Sequence, residues 1–344
     1  MILIPTSMRS AFCLIALLAV TGCDAFGGSD DATDFDSSER LFPARQNGDR
    51  VLIDRTGRVV VDLDGYNSAR SGAEGLTPAR RRENNRNVWD FFDSAGQIAF
   101  SVQADEAYAP RNGRARVRLD GRWAFVDTDG AFIVNPYLRD ARDFSGNLAR
   151  VKTTGNSWGF LDRGGQVAID PAFSSVGDFQ NGRARFERSG KVGFIDETGE
   201  VVIPAVYDDA RDFSDGRAAV RQGQRWSYID LEDNRLLDSQ TFISAGDYGS
   251  GLAPVRIENR WEYVNENGER QIAPQFDSAR AFVGDRAAVE VDGRWTFVRP
   301  DGTQLRAPEF DQVDDFAGGL AEVTVDDKRG YIDLEGATVW LPRD

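Results

Sequence analysis

Apolar and polar residues alternate in short runs along most of the chain. Residues 114–118 read Arg-Ala-Arg-Val-Arg, which has the period of two of a half-buried β-strand. Residues 123–127 read Trp-Ala-Phe-Val-Asp, and their apolar side chains on both faces indicate a strand that is covered on both sides. A third apolar run follows a tight turn, as in residues 201–203, and Pro204 ends it. This pattern predicts a three-stranded antiparallel meander and allows a short fourth strand.

The meander recurs along the chain with a nearly constant period. Its Trp position is found every 34 or 35 residues, at Trp89, Trp123, Trp158, Trp226, Trp261 and Trp295, with Val192 and Arg329 in the same place in two more copies. A degenerate first copy spans Arg50 to Asp54, so nine units fill residues 40–344. One unit is too small to bury both faces of its own strands. We therefore predict an all-β fold of nine tandem units of about 34 residues, stacked face to face over shared cores.

The repeated motif resembles the WG (KWG) repeat of bacterial proteins. The resemblance is clearest in residues 158–162, Trp-Gly-Phe-Leu-Asp, and in residues 193–196, Gly-Phe-Ile-Asp. Most other copies replace the glycine, with Ala124, Ser227, Glu262 and Thr296. The resemblance implies a β-strand repeat of the kind found in envelope or surface proteins, and it implies no particular activity.

Two closures are compatible with such a stack of units. A propeller-like ring would need nine blades, which exceeds the usual four to eight. The chain also starts and ends in the same phase of the repeat, so no blade is shared between its two ends. We therefore favour an open arc or spiral solenoid, with a propeller-like ring as the alternative.

The N-terminal residues have the features of a targeting segment. Arg9 precedes an apolar run over residues 11–20, which is too short to span a bilayer and is typical of a secretory signal. Residues 20–23, Val-Thr-Gly-Cys, resemble the bacterial lipobox, which implies a signal peptide over 1–22 and lipidation of Cys23; a plain signal peptide cut nearby is the alternative. Residues 23–39 are acidic and contain Gly and Ser, so we expect a flexible tether before the WG-type β-repeat domain at 40–344. The implied location is the bacterial cell envelope, anchored to a membrane and facing the periplasm or the cell surface.

Composition excludes several classes of function. A net charge of −15 disfavours nucleic acid as a partner, because phosphate binding needs a basic surface. The chain has no histidine, and both cysteines, Cys13 and Cys23, precede the repeats, so the usual proton shuttle and the soft metal ligands are missing there. No nucleophile elbow, phosphate-binding loop or dinucleotide-binding motif occurs in the sequence. We expect no enzymatic activity, no cofactor and no metal site.

Two repeated residue types have both a structural and a functional interpretation. An Asp ends most Trp motifs, with Gly three residues later, which suits a type I turn better than a row of calcium ligands, since Asn265 and Arg299 replace it in two copies. The Trp row could stack on sugars or quaternary ammonium groups, but its regular position favours a role in the core. The carboxylate pairs at 208–209 and 314–315 could serve as a glycosidase acid and base, but their place in the repeated connector favours turns.

Arginines in the first five units form the best candidate site. One follows the inward-facing Ala of each unit's first strand, at Arg45, Arg80, Arg116, Arg150 and Arg185, and Arg81, Arg82 and Arg86 lie in the longest hairpin. The last four units have Ala219, Pro254, Ala288 and Glu322 at the corresponding place. We expect these arginines to point outward in one line and to bind an anionic glycan, a lipid headgroup or an acidic partner. The alternative is that each arginine pairs with an acidic residue of its own sheet.

The sequence therefore predicts a lipid-anchored cell-envelope protein whose repeats act as a non-catalytic protein-binding scaffold. The alternative is a glycan-binding lipoprotein that recognises peptidoglycan or an anionic surface polysaccharide. Buried Trp side chains and internally paired arginines would favour the scaffold, whereas exposed Trp edges and unpaired arginines would favour the glycan. An envelope glycosidase or lyase would need an acidic cleft with converging carboxylates.

Overall fold

The computed structural model describes residues 40–237 and 240–341 of the 344-residue chain. The predicted signal peptide 1–22, the predicted lipidation site Cys23 and the predicted tether 23–39 lie outside the described residues. Within the described residues, the regular structure consists of short β-strands without any helix. Accordingly, this part contains no helix that is long and apolar enough to cross a membrane.

The strands form nine antiparallel sheets, which we call blades 1 to 9 in chain order. Blades 1 to 3 consist of β1 (Phe42–Gln46), β2 (Asp49–Ile53) and β3 (Val59–Asp62); β4 (Tyr66–Ala69), β5 (Thr77–Glu83), β6 (Arg86–Phe92) and β7 (Ile98–Gln103); and β8 (Glu106–Ala107), β9 (Ala115–Leu119), β10 (Arg122–Val126) and β11 (Phe132–Leu138). Blades 4 to 6 consist of β12 (Asp140–Ser145), β13 (Leu148–Lys152), β14 (Trp158–Asp162) and β15 (Val167–Phe173); β16 (Ala184–Arg188), β17 (Lys191–Ile195) and β18 (Val201–Tyr207); and β19 (Asp209–Ala210), β20 (Arg217–Gln222), β21 (Arg225–Asp230) and β22 (Arg235–Leu236). Blades 7 to 9 consist of β23 (Ser244–Ala245), β24 (Leu252–Arg256), β25 (Trp261–Asn265) and β26 (Arg270–Phe276); β27 (Ser278–Ala279), β28 (Ala287–Val291) and β29 (Arg294–Val298); and β30 (Gln312–Val313), β31 (Leu320–Val325), β32 (Lys328–Asp333) and β33 (Thr338–Trp340).

Each blade is a meander, because its strands pair in the order in which the chain forms them. A complete blade has a short leading strand, a second strand, a Trp strand that carries the Trp position, and a trailing strand. In blade 5 the leading strand is reduced to a single bridge from Val176 to Phe186, and in blade 8 the trailing strand is reduced to bridges such as Val298 to Gln304. The predicted meander with a short fourth strand is confirmed.

The hydrophobic cores lie between blades rather than within them. Nine clusters of buried residues occupy the nine junctions, and each combines side chains of two consecutive blades. At six junctions an aromatic residue of one Trp strand packs against an aromatic residue in or just after the next leading segment, with ring centroids 4.7 to 5.0 Å apart. These pairs are Phe125–Phe144, Phe160–Phe179, Phe194–Phe213, Tyr228–Tyr248, Tyr263–Phe282 and Phe297–Phe316. Stacking over shared cores, as the repeat predicts, is confirmed.

The ninth blade packs against the first, so the nine sheets form a closed, propeller-like ring. Tyr331 of blade 9 contacts Phe42 at 5.5 Å between ring centroids, and its hydroxyl donates to the carbonyl of Pro43 at 2.8 Å. The expected open arc is therefore wrong. The physical reason is that one contact of the other junctions recurs at the last one: the turn of blade 1 at Gly57 lies against Val339 of the preceding trailing strand, as the turn at Gly130 lies against Phe100. This head-to-tail contact closes the ring without a shared blade.

Candidate functional site: the arginine rows and the apolar row

Three of the predicted site arginines connect neighbouring blades. Their Nε atoms donate to a carboxylate of the next blade at 2.8 to 2.9 Å. Their Nη1 atoms donate to a backbone carbonyl of that next blade at 2.5 to 3.3 Å. The contacts are Arg116 with Asp143 and Ala141, Arg150 with Asp178 and Val176, and Arg185 with Asp212 and Ala210. These arginines therefore pair across a junction rather than within their own sheet. Arg116 is also buried, so the expectation that it points outward is wrong.

Arg45 and Arg80 belong to a different row from these three. Arg116 lies opposite Phe125, the third residue of its Trp motif. Arg80 and Arg45 lie opposite the first motif residue, which is Trp89 in blade 2 and Arg50 in blade 1. They are therefore two residues further along the second strand than Arg116 is. The expected single line of arginines is therefore divided into two rows. Arg80 lies 5.9 Å from the Trp89 ring centroid, and Arg45 donates to the carbonyl of Gly48 at 2.8 Å in its own hairpin.

Arg81 holds a buried carboxylate that the sequence interpretation did not single out. Asp90 is fully buried, and its carboxylate accepts hydrogen bonds from Arg81 Nε at 2.6 Å, the Ser101 hydroxyl at 2.5 Å and the Tyr66 hydroxyl at 2.6 Å. Burial by itself raises the pKa of Asp90, but these three donors together hold it below its ordinary value. Its signal in the sequence was an acidic residue at a motif position that is Gly, Ala, Ser or Thr in six of the nine units, an exception that blade 7 shares through Glu262. Arg82, by contrast, is exposed and donates only to the carbonyl of Asn85 among the interactions described.

The junction between blades 6 and 7 lacks the arginine that the preceding junctions have. Ala219 lies opposite Tyr228, where Arg116 lies opposite Phe125, so the carboxylate of Asp247 receives no such guanidinium. Within the described residues, Asp247 Oδ1 is buried without a hydrogen-bond partner. Burial raises the pKa of Asp247, and nearby Arg211 offsets only part of this effect. The row of inter-blade ion pairs therefore ends at this junction.

We expect Asp247→Asn to stabilise the protein at pH 7 by about 1 kcal/mol, because an amide costs less to bury than an unpaired carboxylate. A raised native pKa means that the stability contributed by Asp247 is present at low pH and is lost as the pH rises through that pKa. The gain from Asp247→Asn should therefore shrink as the pH falls. Urea unfolding of both proteins between pH 4 and pH 8 measures it, and a gain that is constant over this range would contradict the prediction.

The Trp side chains lie against cations of their own blade. Trp89 and Trp158 are buried, and the other four are partly exposed. Arg150 and Lys152 lie 5.1 and 4.7 Å from the ring centroid of Trp158, and Arg116 lies 4.6 Å from that of Trp123. Cation–π contacts of this kind occupy the ring faces that a sugar would need.

The recurring Asp residues form turns, as the sequence indicated. The carboxylate of Asp127 accepts the backbone N–H groups of residues 129 and 131 at 3.0 and 2.8 Å, and the side chain of Asn265 does the same for residues 267 and 269. Where Arg299 replaces the Asp, Asp301 accepts the N–H of Thr303 instead. The part of the chain that the structure describes has no group of three His, Cys, Asp or Glu residues that could hold a metal ion.

Three of the four carboxylates in the connector pairs 208–209 and 314–315 also have partners in the chain. Asp208 accepts hydrogen bonds from Lys191 Nζ at 2.5 Å and from the N–H of Gly223 at 2.7 Å, and Lys191 lowers the pKa of Asp208. Asp209 lies 3.6 Å from Arg221, and Asp315 lies 3.4 Å from Arg280. These carboxylates thus hold connectors and strands in place.

Five consecutive trailing strands expose an apolar side chain at the same position, two residues after the turn glycine. We call this set the apolar row. Its members and their exposed fractions are Val59 (37%), Ile98 (50%), Phe132 (44%), Val167 (48%) and Val201 (44%). Blades 6 to 9 have Arg235, Arg270, Gln304 and Thr338 at this position. The apolar row was missed at the sequence level, although the change from apolar to polar after the fifth unit was its signal.

Nine meanders joined head to tail into a ring define a propeller-like repeat protein. The chain belongs to the family of the WG containing repeat, whose model matches residues 91–123, 123–156, 158–191, 193–226, 263–295 and 295–328, more than half of the chain. This confirms the resemblance seen in the motif.

Several solved structures have a similar fold. BamB from Moraxella catarrhalis superposes with a TM-score of 0.43 at 11% identity, covering 79% of this chain and 94% of that one. The C-terminal WD40 domain of Sif2 gives a TM-score of 0.40 at 12% identity, covering 76% and 90%. PorZ, a surface component of the type-IX secretion system of Porphyromonas gingivalis, gives a TM-score of 0.33 at 11% identity. The match covers 86% of this chain but only 45% of PorZ. A comparison with curated protein sequences finds no match. At these identities the likeness concerns the fold alone.

Proposed function

We propose that this chain is a lipid-anchored protein of the bacterial cell envelope whose ring of blades is a non-catalytic surface for binding other envelope proteins. The observation that carries the proposal is the apolar row. Scattered apolar residues are normal on a protein surface, but repeated exposure at one position of five neighbouring blades is typical of an interaction surface. The anchoring part of the proposal rests on the lipobox-like residues that end in Cys23.

The contacts of the other candidate residues support a scaffold over a glycan-binding protein. Arg116, Arg150 and Arg185 are paired with carboxylates of the next blade, so their charges are already matched within the ring. The Trp rings lie against cations of the chain, and the ring of Trp158 is buried. The recurring carboxylates form turns and ion pairs, which supports a binding role over acid–base catalysis.

The test is affinity capture from envelope extract with the chain from residue 24 onward. Replacing Ile98, Phe132 and Val167 together with Ser should reduce the captured partner about tenfold or more, because exposed apolar anchors supply most of the binding energy of such a surface. The matched control replaces Arg235, Gln304 and Thr338, which occupy the same position in blades 6, 8 and 9, with Ser. This control should bind as the unsubstituted protein does.

Equal losses in both triple variants would contradict the proposal, as would unchanged capture by the apolar-row variant. Both variants should unfold at nearly the same urea concentration as the unsubstituted protein, because exposed substitutions cost little stability. If the protein instead sediments with purified sacculi, and Arg45→Glu with Arg82→Glu abolishes that binding, glycan recognition replaces protein binding as the function.

A further inference from the structure

The edge of β1, the second strand of blade 1, that faces away from β2 has no partner among the described residues. In seven other blades a leading strand pairs with the second strand, and in blade 5 Val176 pairs with Phe186 at the same place. In residues 40–237 and 240–341, nothing pairs with the corresponding edge of β1. Unpaired backbone N–H and C=O groups along a strand edge are a template for a further extended segment.

A cavity of about 480 Å³ lies beside this open edge. Blade 9 contributes Tyr331 and its hairpin, blade 1 contributes residues of β1 and β2, and blade 2 contributes residues 67–69 of β4. The lining combines apolar side chains such as Val51 with one carboxylate, Asp327, and four cations, which are Arg45, Arg50, Lys328 and Arg329. Two of these cations, Arg50 and Arg329, occupy the Trp position of their blades. The cavity therefore suits an extended segment with an apolar anchor and several carboxylates.

The closing junction also departs from the aromatic pairing of the other junctions. At six junctions the aromatic residue of the Trp strand contacts an aromatic residue of the next leading segment. Tyr331 occupies this position in blade 9, and its aromatic contact in the described part is Phe42 of a second strand. Tyr331 lines the cavity as well, so a leading-segment aromatic could reach it there.

The chain carries a matching segment directly before β1. Residues 32–35 read Ala-Thr-Asp-Phe, which is similar to Ala-Arg-Asp-Phe at residues 141–144 and 210–213. In blade 4, Ala141 pairs with Val151, which lies ten residues later. Ala44 of β1 corresponds to Val151, and it lies twelve residues after Ala32, which corresponds to Ala141. The turn would be two residues longer than in blade 4. Asp31, Asp34 and Asp36 give this segment a negative charge, which complements the cations of the cavity lining.

We propose that the open edge of β1 and the cavity beside it bind residues 31–36 of the same chain, with Phe35 against Tyr331. This interaction would join the ring to its predicted membrane anchor. Asp31 follows Cys23 by only eight positions in the sequence, and this length spans at most about 28 Å when fully extended. The ring would then stand close to the membrane, with the closing junction of blades 9 and 1 as the nearest part.

The proposal is tested by disulfide trapping in the chain from residue 24 onward, which has no native cysteine. Opposite residues of an antiparallel pair have Cα separations that a disulfide can bridge. Ala32→Cys with Ala44→Cys should therefore crosslink at least tenfold faster than the control pair Ala25→Cys with Ala44→Cys. Phe35→Ala should slow the crosslinking of the first pair about tenfold, and Phe26→Ala should leave it unchanged.

Equal crosslinking rates in the two cysteine pairs would overturn the proposal, as would a rate that does not respond to Phe35→Ala. Either result would leave the open edge to a partner segment or to solvent. The measurement reports a contact within one chain, so its outcome is independent of the proposed protein-binding function.

Discussion

Arg81→Met is expected to lower the free energy of unfolding by about 3–5 kcal/mol at pH 7. The substitution leaves the buried carboxylate of Asp90 with two neutral donors, Ser101 and Tyr66, and without its cation. A carboxylate that remains charged in this position has lost its hydration without an ion pair in return. Urea unfolding of the chain from residue 24 onward, followed by tryptophan fluorescence, measures the change.

Arg82→Met is the matched control, because Arg82 is the next residue of β5 and is exposed. It should change the free energy of unfolding by no more than about 0.5 kcal/mol. Equal losses in the two variants would show that the Arg81–Asp90 pair does not contribute as the structure indicates.

The pH dependence gives a second measurement on the same pair. The native pKa of Asp90 lies below its ordinary value, so its contribution to stability is present above the unfolded pKa near 3.8 and is lost as the pH falls through the native pKa. Arg81→Met removes the main cause of that low pKa. The difference in stability between the two proteins should therefore be largest near neutral pH and should decrease in acid.

The sequence was sufficient for the repeat unit and for the place of the cores. A strand such as residues 123–127, apolar on both faces, needs a neighbour on each side, and only adjacent copies of the same unit can supply both. The short leading strands were harder to predict, since a two-residue strand such as β19 has too few residues to show a period. Closure was not predictable, because it depends on the small rotation between blades, which accumulates over nine junctions.

The division of the arginines into two rows could not be read from the sequence alone. Inward positions of the second strand are two residues apart, and alanine occupies either of them. Ala115 lies opposite Val126, the fourth motif residue, whereas Ala79 lies opposite Asp90, the second. When the units are aligned on this alanine, Arg45 and Arg80 are placed in the same row as Arg116, although they lie two residues further along the strand. The pairing between the strands shows this difference.

Partners across a junction were equally out of reach of pattern analysis. Asp143 lies 27 residues after Arg116 and in the connector of the next unit, so their contact depends on how blades stack. The same holds for the apolar row, whose exposure depends on which faces of the trailing strands the neighbouring blade leaves uncovered. Sequence patterns identify the faces of one strand, but the contacts between units decide which faces remain available for a partner.

Phe194→Ala is expected to lower the free energy of unfolding by about 3–5 kcal/mol, because it removes a large, fully buried ring from a shared core. The ring packs edge-on against Phe213 at 4.8 Å and contacts the cluster that joins blades 5 and 6. In a closed ring each blade is held from both sides, so the loss at this junction should weaken the whole ring and lower the midpoint of a single urea transition. Phe132→Ala, which truncates an aromatic residue that is 44% exposed, is the control and should cost less than about 1 kcal/mol. A second transition confined to part of the ring, or equal losses in the two variants, would contradict the view that the shared cores hold the nine blades together as one cooperative unit.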